Sequence, residues 1–150
     1  MAASEHPPIA TIGHAGTSAE SFFTRLRDAR VERLLDIRLR PVSQFATFAH
    51  QRDLPYFLRE LCGIDYEHDV RLAPDDDLLD AYRGKKIGPD DFHERFRQLM
   101  DERGIPGELD PAAFDRKTAL LCSEASPDHC HRRIVAELLA STWSRDIEHL

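Results

Sequence analysis

The stretch Leu120-Leu121-Cys122-Ser123-Glu124-Ala125-Ser126-Pro127-Asp128-His129-Cys130-His131-Arg132-Arg133 decides the fold. An apolar run from Thr118 to Leu121 reads as a buried strand. Ser126 then offers a side-chain cap, Pro127 suits a first helical position, and Asp128 puts negative charge in a first turn. Ile134, Val135, Leu138 and Leu139 follow at helical spacing. Cys122 is therefore expected at the carboxyl end of a strand, with Cys130 and His131 in the first turn of the next helix. Open α/β sheets bind ligands at that edge. A helix start adds free N–H groups and partial positive charge, which favour anions and thiolates.

Outward from this unit, strands keep alternating with helices. Ile9 to Ile12 is a short buried strand, and Thr17 to Glu20 has capping-box spacing ahead of a helix carrying Phe22, Phe23, Leu26 and Ala29. Val31 to Ile37 is the next strand, followed by a loop through Pro41 and Phe45. Leu54, Phe57, Leu58, Leu61 and Cys62 form an amphipathic helix stopped by Gly63, and Ile64 to His68 a third strand. A short helix is expected around Leu78 to Tyr82, and a longer one through Phe92, Phe96, Leu99 and Met100 that ends at Gly104. The helix after Pro127 should run to about Ala140, and Asp146 to Leu150 can add an edge strand. The alternation predicts one three-layer α/β domain over 9–150. Its sheet is mostly parallel, of about four to five strands, with helices on both faces. Residues 1–8 read as a disordered lead-in.

The chain has 150 residues, 41% hydrophobic and 31% charged, which suits a single buried core. No run approaches the roughly 18 apolar residues of a membrane span. The first residues lack an apolar signal core, and three cysteines are an odd number, so a cytoplasmic protein with thiols is expected rather than a disulfide scaffold. A net charge of −7 argues against sequence-blind nucleic-acid binding, although the arginines between Arg25 and Arg40 leave a nucleic-acid-associated role as a third reading.

Three strand ends should share one rim, carrying Gly13-His14, Asp36-Ile37-Arg38 and Cys122-Ser123-Glu124. Cys122 reads as a nucleophile whose thiolate the helix start and an arginine would stabilise, or as a small hydrophobe closing a core strand. Cys130 reads as core packing or as the redox partner of Cys122. His131 and Glu124 are candidate acid/base groups, and Arg132 a bidentate anion clamp; His131 and Arg132 read equally as a helix-start pair bonded to loop carbonyls. Asp36 and Arg38 point to one face, as an anion-binding arginine with its orienting carboxylate or as a buried brace. His14 reads as a ligand contact or a turn-stabilising histidine. Cys122, Cys130 and His131 have zinc-compatible chemistry, but the spacing lacks the close pairs of finger or ribbon sites, and adjacent residues on a helix diverge, so no metal and no cofactor is expected.

Thr11-Ile12-Gly13-His14, Leu35-Asp36-Ile37-Arg38 with Pro41, Gln44-Phe45, and Leu120 through Glu124 to Cys130-His131-Arg132-Arg133 together resemble the DUF488 family. That family's pattern runs TIGHS, LVDVRxxP, QF, LLCxExxPxxCHR, and the closing Ile147-Glu148-His149-Leu150 is similar to its end. The resemblance extends over essentially residues 9–150. Ala15 stands where Ser is usual, and residues 71–74 lack a double glycine that some members carry. The resemblance implies an α/β domain with a polar pocket built from the motif residues and implies no reaction. A looser similarity links the chain to rhodanese and Cys-phosphatase sites, but those close a short loop between Cys and Arg, whereas Arg132 lies ten residues beyond Cys122.

The function expected from the residues is an enzyme acting on a small anionic or nucleotide-like substrate. Cys122, His131 and Glu124 would be catalytic, and His14, Asp36, Arg38 and Arg132 would bind substrate. The alternative is a non-catalytic ligand-binding module, for a metabolite or a nucleic-acid-related ligand, with structural cysteines.

Overall fold

The structure, a computed structural model, describes residues 6–43, 46–124 and 126–150. Residues 1–5 of the expected lead-in, the Gln44-Phe45 motif and Ala125 lie outside the described residues. Five strands form one sheet, all parallel: β1 (Ile9–Gly13), β2 (Arg33–Asp36), β3 (Asp65–His68), β4 (Thr118–Cys122) and β5 (Ile147–His149). Their spatial order is β3-β2-β4-β1-β5. The crossovers carry α1 (Ala19–Asp28), α2 (Leu54–Cys62), α3 (Asp76–Arg83), α4 (Pro89–Glu102) and α5 (His131–Trp143).

Strand periodicity sorts the core into two layers. Ala10, Ile12, Leu34, Ala119 and Leu121 face one side, where Phe22 and Leu26 of α1 and Leu54 and Leu58 of α2 cover them. Ile9, Leu35 and Leu120 face the other, against Phe92 and Phe96 of α4 and Ile134, Val135 and Leu139 of α5. Each fully buried Leu, Ile or Phe contributes about 1.5–3 kcal/mol of transfer free energy, so the two layers are the main source of stability. β1, β2 and β4 are buried along their whole length, β1 and β4 as their apolar runs require and β2 with Arg33 and Asp36 buried at its ends, whereas the edge strand β3 is polar and half exposed.

Local chemistry sets the boundaries. Gly63 ends α2 in the left-handed conformation (φ 65°), as a C-terminal glycine should. Two expected starts move. Ser18, not Thr17, caps α1, accepting the Ser21 N–H at 3.1 Å; adjacent Thr and Ser offer the same hydroxyl, and the backbone selects the one with extended φ/ψ. Ser126, Pro127 and Asp128 do begin a helical turn, but it is a single 3₁₀ turn, Pro127–His129. The chain re-extends at Cys130, whose sulfur caps α5 by accepting the Arg132 N–H. Cys130 thus precedes the last helix instead of lying in its first turn.

No helix of the structure is long and apolar enough to cross a membrane.

Candidate functional site

β2, β4 and β1 are neighbours, with Gly13 in register with Cys122 and Asp36 with Leu121. The three strand ends therefore meet at the carboxyl edge. Beyond the strands, the Ala15 N–H donates to the Ser123 carbonyl (2.9 Å) and the Ile37 N–H to the Leu121 carbonyl (3.1 Å), holding the loops in place. Gly13 is required by close approach: a Cβ there would overlap the Glu124 carbonyl and Arg132 Nη1.

Asp36 is fully buried at the end of β2. It accepts from Arg38 Nε (2.8 Å) and Nη2 (2.6 Å), from the Arg38 backbone N–H (3.2 Å) and from the Tyr66 hydroxyl (2.6 Å). Arg38 Nη2 also donates to the Ala49 carbonyl (2.8 Å), and Nη1 lies 3.3 Å from His14 Nε2. A guanidinium only donates, so His14 Nε2 accepts and the ring proton sits on Nδ1. Burial, then the Arg38 charge, lowers the His14 pKa to about 4, which keeps the ring neutral as that bond requires. Burial and the Asp36 charge push the Tyr66 phenol up, so it remains a donor. These residues brace one another. Arg38 also lines the cavity described next, while Asp36 and His14 do not reach its wall.

A cavity of about 620 Å³ opens on the other side of the rim, with Arg38, Cys122, Ser123, Glu124, Cys130 and His131 among its lining. His131 Nε2 donates to the Ile37 carbonyl at 2.7 Å, which leaves Nδ1 as an acceptor, 3.9 Å from Cys130 Sγ. Burial lowers the His131 pKa to about 4, so the ring is neutral near pH 7, with Nδ1 as its acceptor. Because Cys130 precedes the helix, its sulfur and the His131 ring share the cavity; the divergence expected of adjacent helical residues does not occur.

Cys122 and Cys130 are joined sulfur to sulfur, and Cys62 is a free thiol. Arg132 serves both members of the pair, with Nη1 3.4 Å from Cys122 Sγ and its backbone N–H 3.5 Å from Cys130 Sγ. The same Nη1 donates to the Glu124 carbonyl at 2.5 Å. The Arg132 side chain is fully buried and does not line the cavity, so the clamp expected on the ligand instead grips the cysteine loop. Burial, then the Arg25 charge, lowers its pKa to about 10, which leaves it cationic at neutral pH.

Four cations at the cavity mouth are absent from the sequence-derived set: Arg40, Arg83, Lys85 and Lys86. The available signal is a basic run, Arg83-Gly84-Lys85-Lys86, inside an otherwise acidic segment.

A family model described as "Domain of unknown function DUF488" matches residues 18–139 of the chain. The chain belongs to the DUF488 family. In this DUF488 protein the matched segment holds the Asp36–Arg38 and Cys122–Arg133 motifs. It stops short of Thr11–His14 and of the closing Ile147–Leu150, which also carry the resemblance. No curated protein and no solved structure matches the chain. Among the described residues, no group of three or more His, Cys, Asp and Glu side chains is arranged to hold a metal ion in this DUF488 site. Its side chains are a sulfur-to-sulfur cysteine pair, a neutral imidazole, a carboxylate and fixed positive charge.

Proposed function

We propose that this DUF488 protein is an enzyme that binds a small anionic substrate in the rim cavity, where the Cys122 thiolate forms a bond to the substrate's electrophilic atom as that atom's bond to its leaving group breaks and the leaving group departs with the electron pair. The observation that carries this reading is the Arg132 guanidinium 3.4 Å from Cys122 Sγ, on a sulfur that lines an open cavity. A buried cation beside a sulfur favours thiolate over thiol, and the thiolate is the nucleophile. Arg38, its guanidinium fixed by Asp36, His14 and the Ala49 carbonyl, lines the cavity as a positioning charge that favours an anion there. His131 Nδ1 and the Glu124 carboxylate are the acid/base groups. Cys130 is the redox partner: its bond to Cys122 is the resting, oxidised form, and two-electron reduction by an external dithiol frees the nucleophile.

The test is a pair of alkylating agents of opposite charge character on the reduced protein. Iodoacetate is expected to outpace iodoacetamide at Cys122, relative to the same pair on glutathione, because the cavity concentrates the anion. Equal or inverted preference would remove the anionic-substrate reading. A second reading, a non-catalytic binding site with structural cysteines, is favoured by the Cys122–Cys130 bond itself. It requires that mild thiol reductants leave that bond intact in the folded protein.

A further inference from the structure

The floor of the cavity is occupied by the thiol chemistry, but its outer wall is built from something else. α3, the turn after it and the start of α4 supply Leu79, Tyr82, Ile87 and Phe92. The Tyr82 and Phe92 rings lie 4.4 Å apart, centroid to centroid, tilted by 39°. Phe92 is buried and Tyr82 half-buried, so together they form an aromatic panel fixed by the core behind it.

The turn itself carries Arg83, Lys85 and Lys86, all exposed and all on the cavity lining. Among the described residues none of the three is in an ion pair, whereas Arg40 across the mouth is held by Asp76 and Asp80. Asp77, like Asp76, sits in the first turn of α3. Asp75 caps α3 by accepting the Leu78 N–H at 2.8 Å, and Asp90 and Asp91 sit in the first turn of α4, where the helix dipole favours them. Three cations on one turn, none of them in an ion pair among the described residues, stand out in a chain of net charge −7.

The turn is ordered. The Gly84, Lys85 and Lys86 N–H groups donate to the carbonyls of Asp80 (2.8 Å), Tyr82 (3.1 Å) and Ala81 (2.9 Å). Lys85 takes φ 57°, a left-handed conformation that costs an ordinary residue about 1–2 kcal/mol and that glycine would adopt freely. A lysine in a glycine position, on the lip of a cavity, points to a role for its ammonium group.

The ligand such a wall would recognise has a flat ring and a charged end. The ring lies on the Tyr82–Phe92 panel and Ile87, and the charged end reaches the turn. A phosphate monoester carries about −1.5 to −2 near neutral pH and offers several acceptor oxygens, a closer match to three cations than a carboxylate's single charge. About 620 Å³ falls within the range of ordinary small-ligand sites, roughly 300–1,000 Å³. We infer that the substrate is a nucleoside monophosphate, its base on the Tyr82–Phe92 wall and its phosphate on Arg83, Lys85 and Lys86. This rests on the anionic-substrate reading above and narrows it.

Calorimetric titration of the reduced protein with adenosine, guanosine, cytidine and uridine 5′-monophosphates tests the inference, with the four nucleosides and inorganic phosphate as controls. At least one monophosphate is expected to bind about tenfold or more tightly than both its nucleoside and inorganic phosphate. The exposed-turn variant Lys85→Ala/Lys86→Ala should weaken that monophosphate about tenfold and leave nucleoside binding unchanged. Tyr82→Leu should weaken both. Absence of saturable binding by all four at about 1 mM, or affinities unmoved by the lysine variant, would overturn the inference. The two readings fail separately. Cys122 alkylation with no mononucleotide binding removes only the ligand assignment, and mononucleotide binding with an inert Cys122 removes only the thiol chemistry.

Discussion

Two cationic regions border the same cavity and differ in every physical respect. The floor holds Arg38, 4% exposed and paired with the fully buried Asp36, and beyond it the fully buried Arg132. The lip holds Arg83, Lys85 and Lys86, exposed and without ion pairs among the described residues. Charge out of water must be matched at every donor or the fold loses free energy, so the floor charges are committed to shape: Asp36, Ala49, His14, Cys122 and Glu124 receive them. Exposed charges carry little desolvation cost and remain free to meet a ligand. Burial therefore separates positioning from binding, although both regions read as "basic" in sequence.

The sharpest break of that comparison is Asp36→Ala. It leaves Arg38 buried and uncompensated and removes the acceptor of the Tyr66 hydroxyl. A loss of about 3–5 kcal/mol is expected in urea denaturation. A loss below about 1 kcal/mol, the range of an exposed pair, would mean that the floor is not structural.

Acid should act on the same floor. His14 and His131 each have a folded pKa of about 4, against the ordinary histidine value of 6.5 that the unfolded chain regains. The unfolded chain therefore binds more protons in that window, and stability falls as pH drops from 6.5 towards 4. Each ring contributes at most about 1.4 kcal/mol to that loss for every pH unit crossed. His131→Gln should flatten the profile of denaturation midpoint against pH over that interval. An unchanged slope would show that the ring is not held neutral by the fold.

Gly13→Ala is expected to cost about 1–3 kcal/mol, since the new methyl meets the Glu124 carbonyl and the Arg132 head. The effect should also slow Cys122 alkylation, because Arg132 must shift. At the other extreme, Lys85→Ala/Lys86→Ala should change stability by less than about 0.5 kcal/mol, the range of exposed surface substitutions. A large loss of stability there would erase the contrast between lip and floor.

The parallel α/β architecture is legible in the sequence because its signals are local. The apolar runs Ile9–Ile12 and Thr118–Leu121 announce buried strands, and Gly63 announces a helix end. The strand order is not legible, because β1 and β2 are separated by β4, a strand that arrives late in the chain. The start of α5 is misleading because Ser-Pro-Asp suits a 3₁₀ turn as well as a helix, and a cysteine is an uncommon cap. Cys122, Glu124 and His131 stand out by their place at a strand end, in the loop after it and at the next helix start, and they line one cavity. The burial of Arg132 depends on β1, β4 and the intervening loop closing over it, and no local pattern encodes that. The lip is hidden for the same reason: Arg83–Lys86 reaches the rim only once α3 and α4 are laid beside the carboxyl edge.

The most direct measurement is the pH dependence of alkylation at Cys122 in the folded, reduced protein, mapped by mass spectrometry with Cys62 and Cys130 as internal references. With Arg132 beside the sulfur, half-maximal reactivity is expected well below the ordinary thiol value of about 8.5. A midpoint at or above that value, or a Cys122 that stays silent until the protein unfolds, would contradict the thiolate reading at the centre of the site.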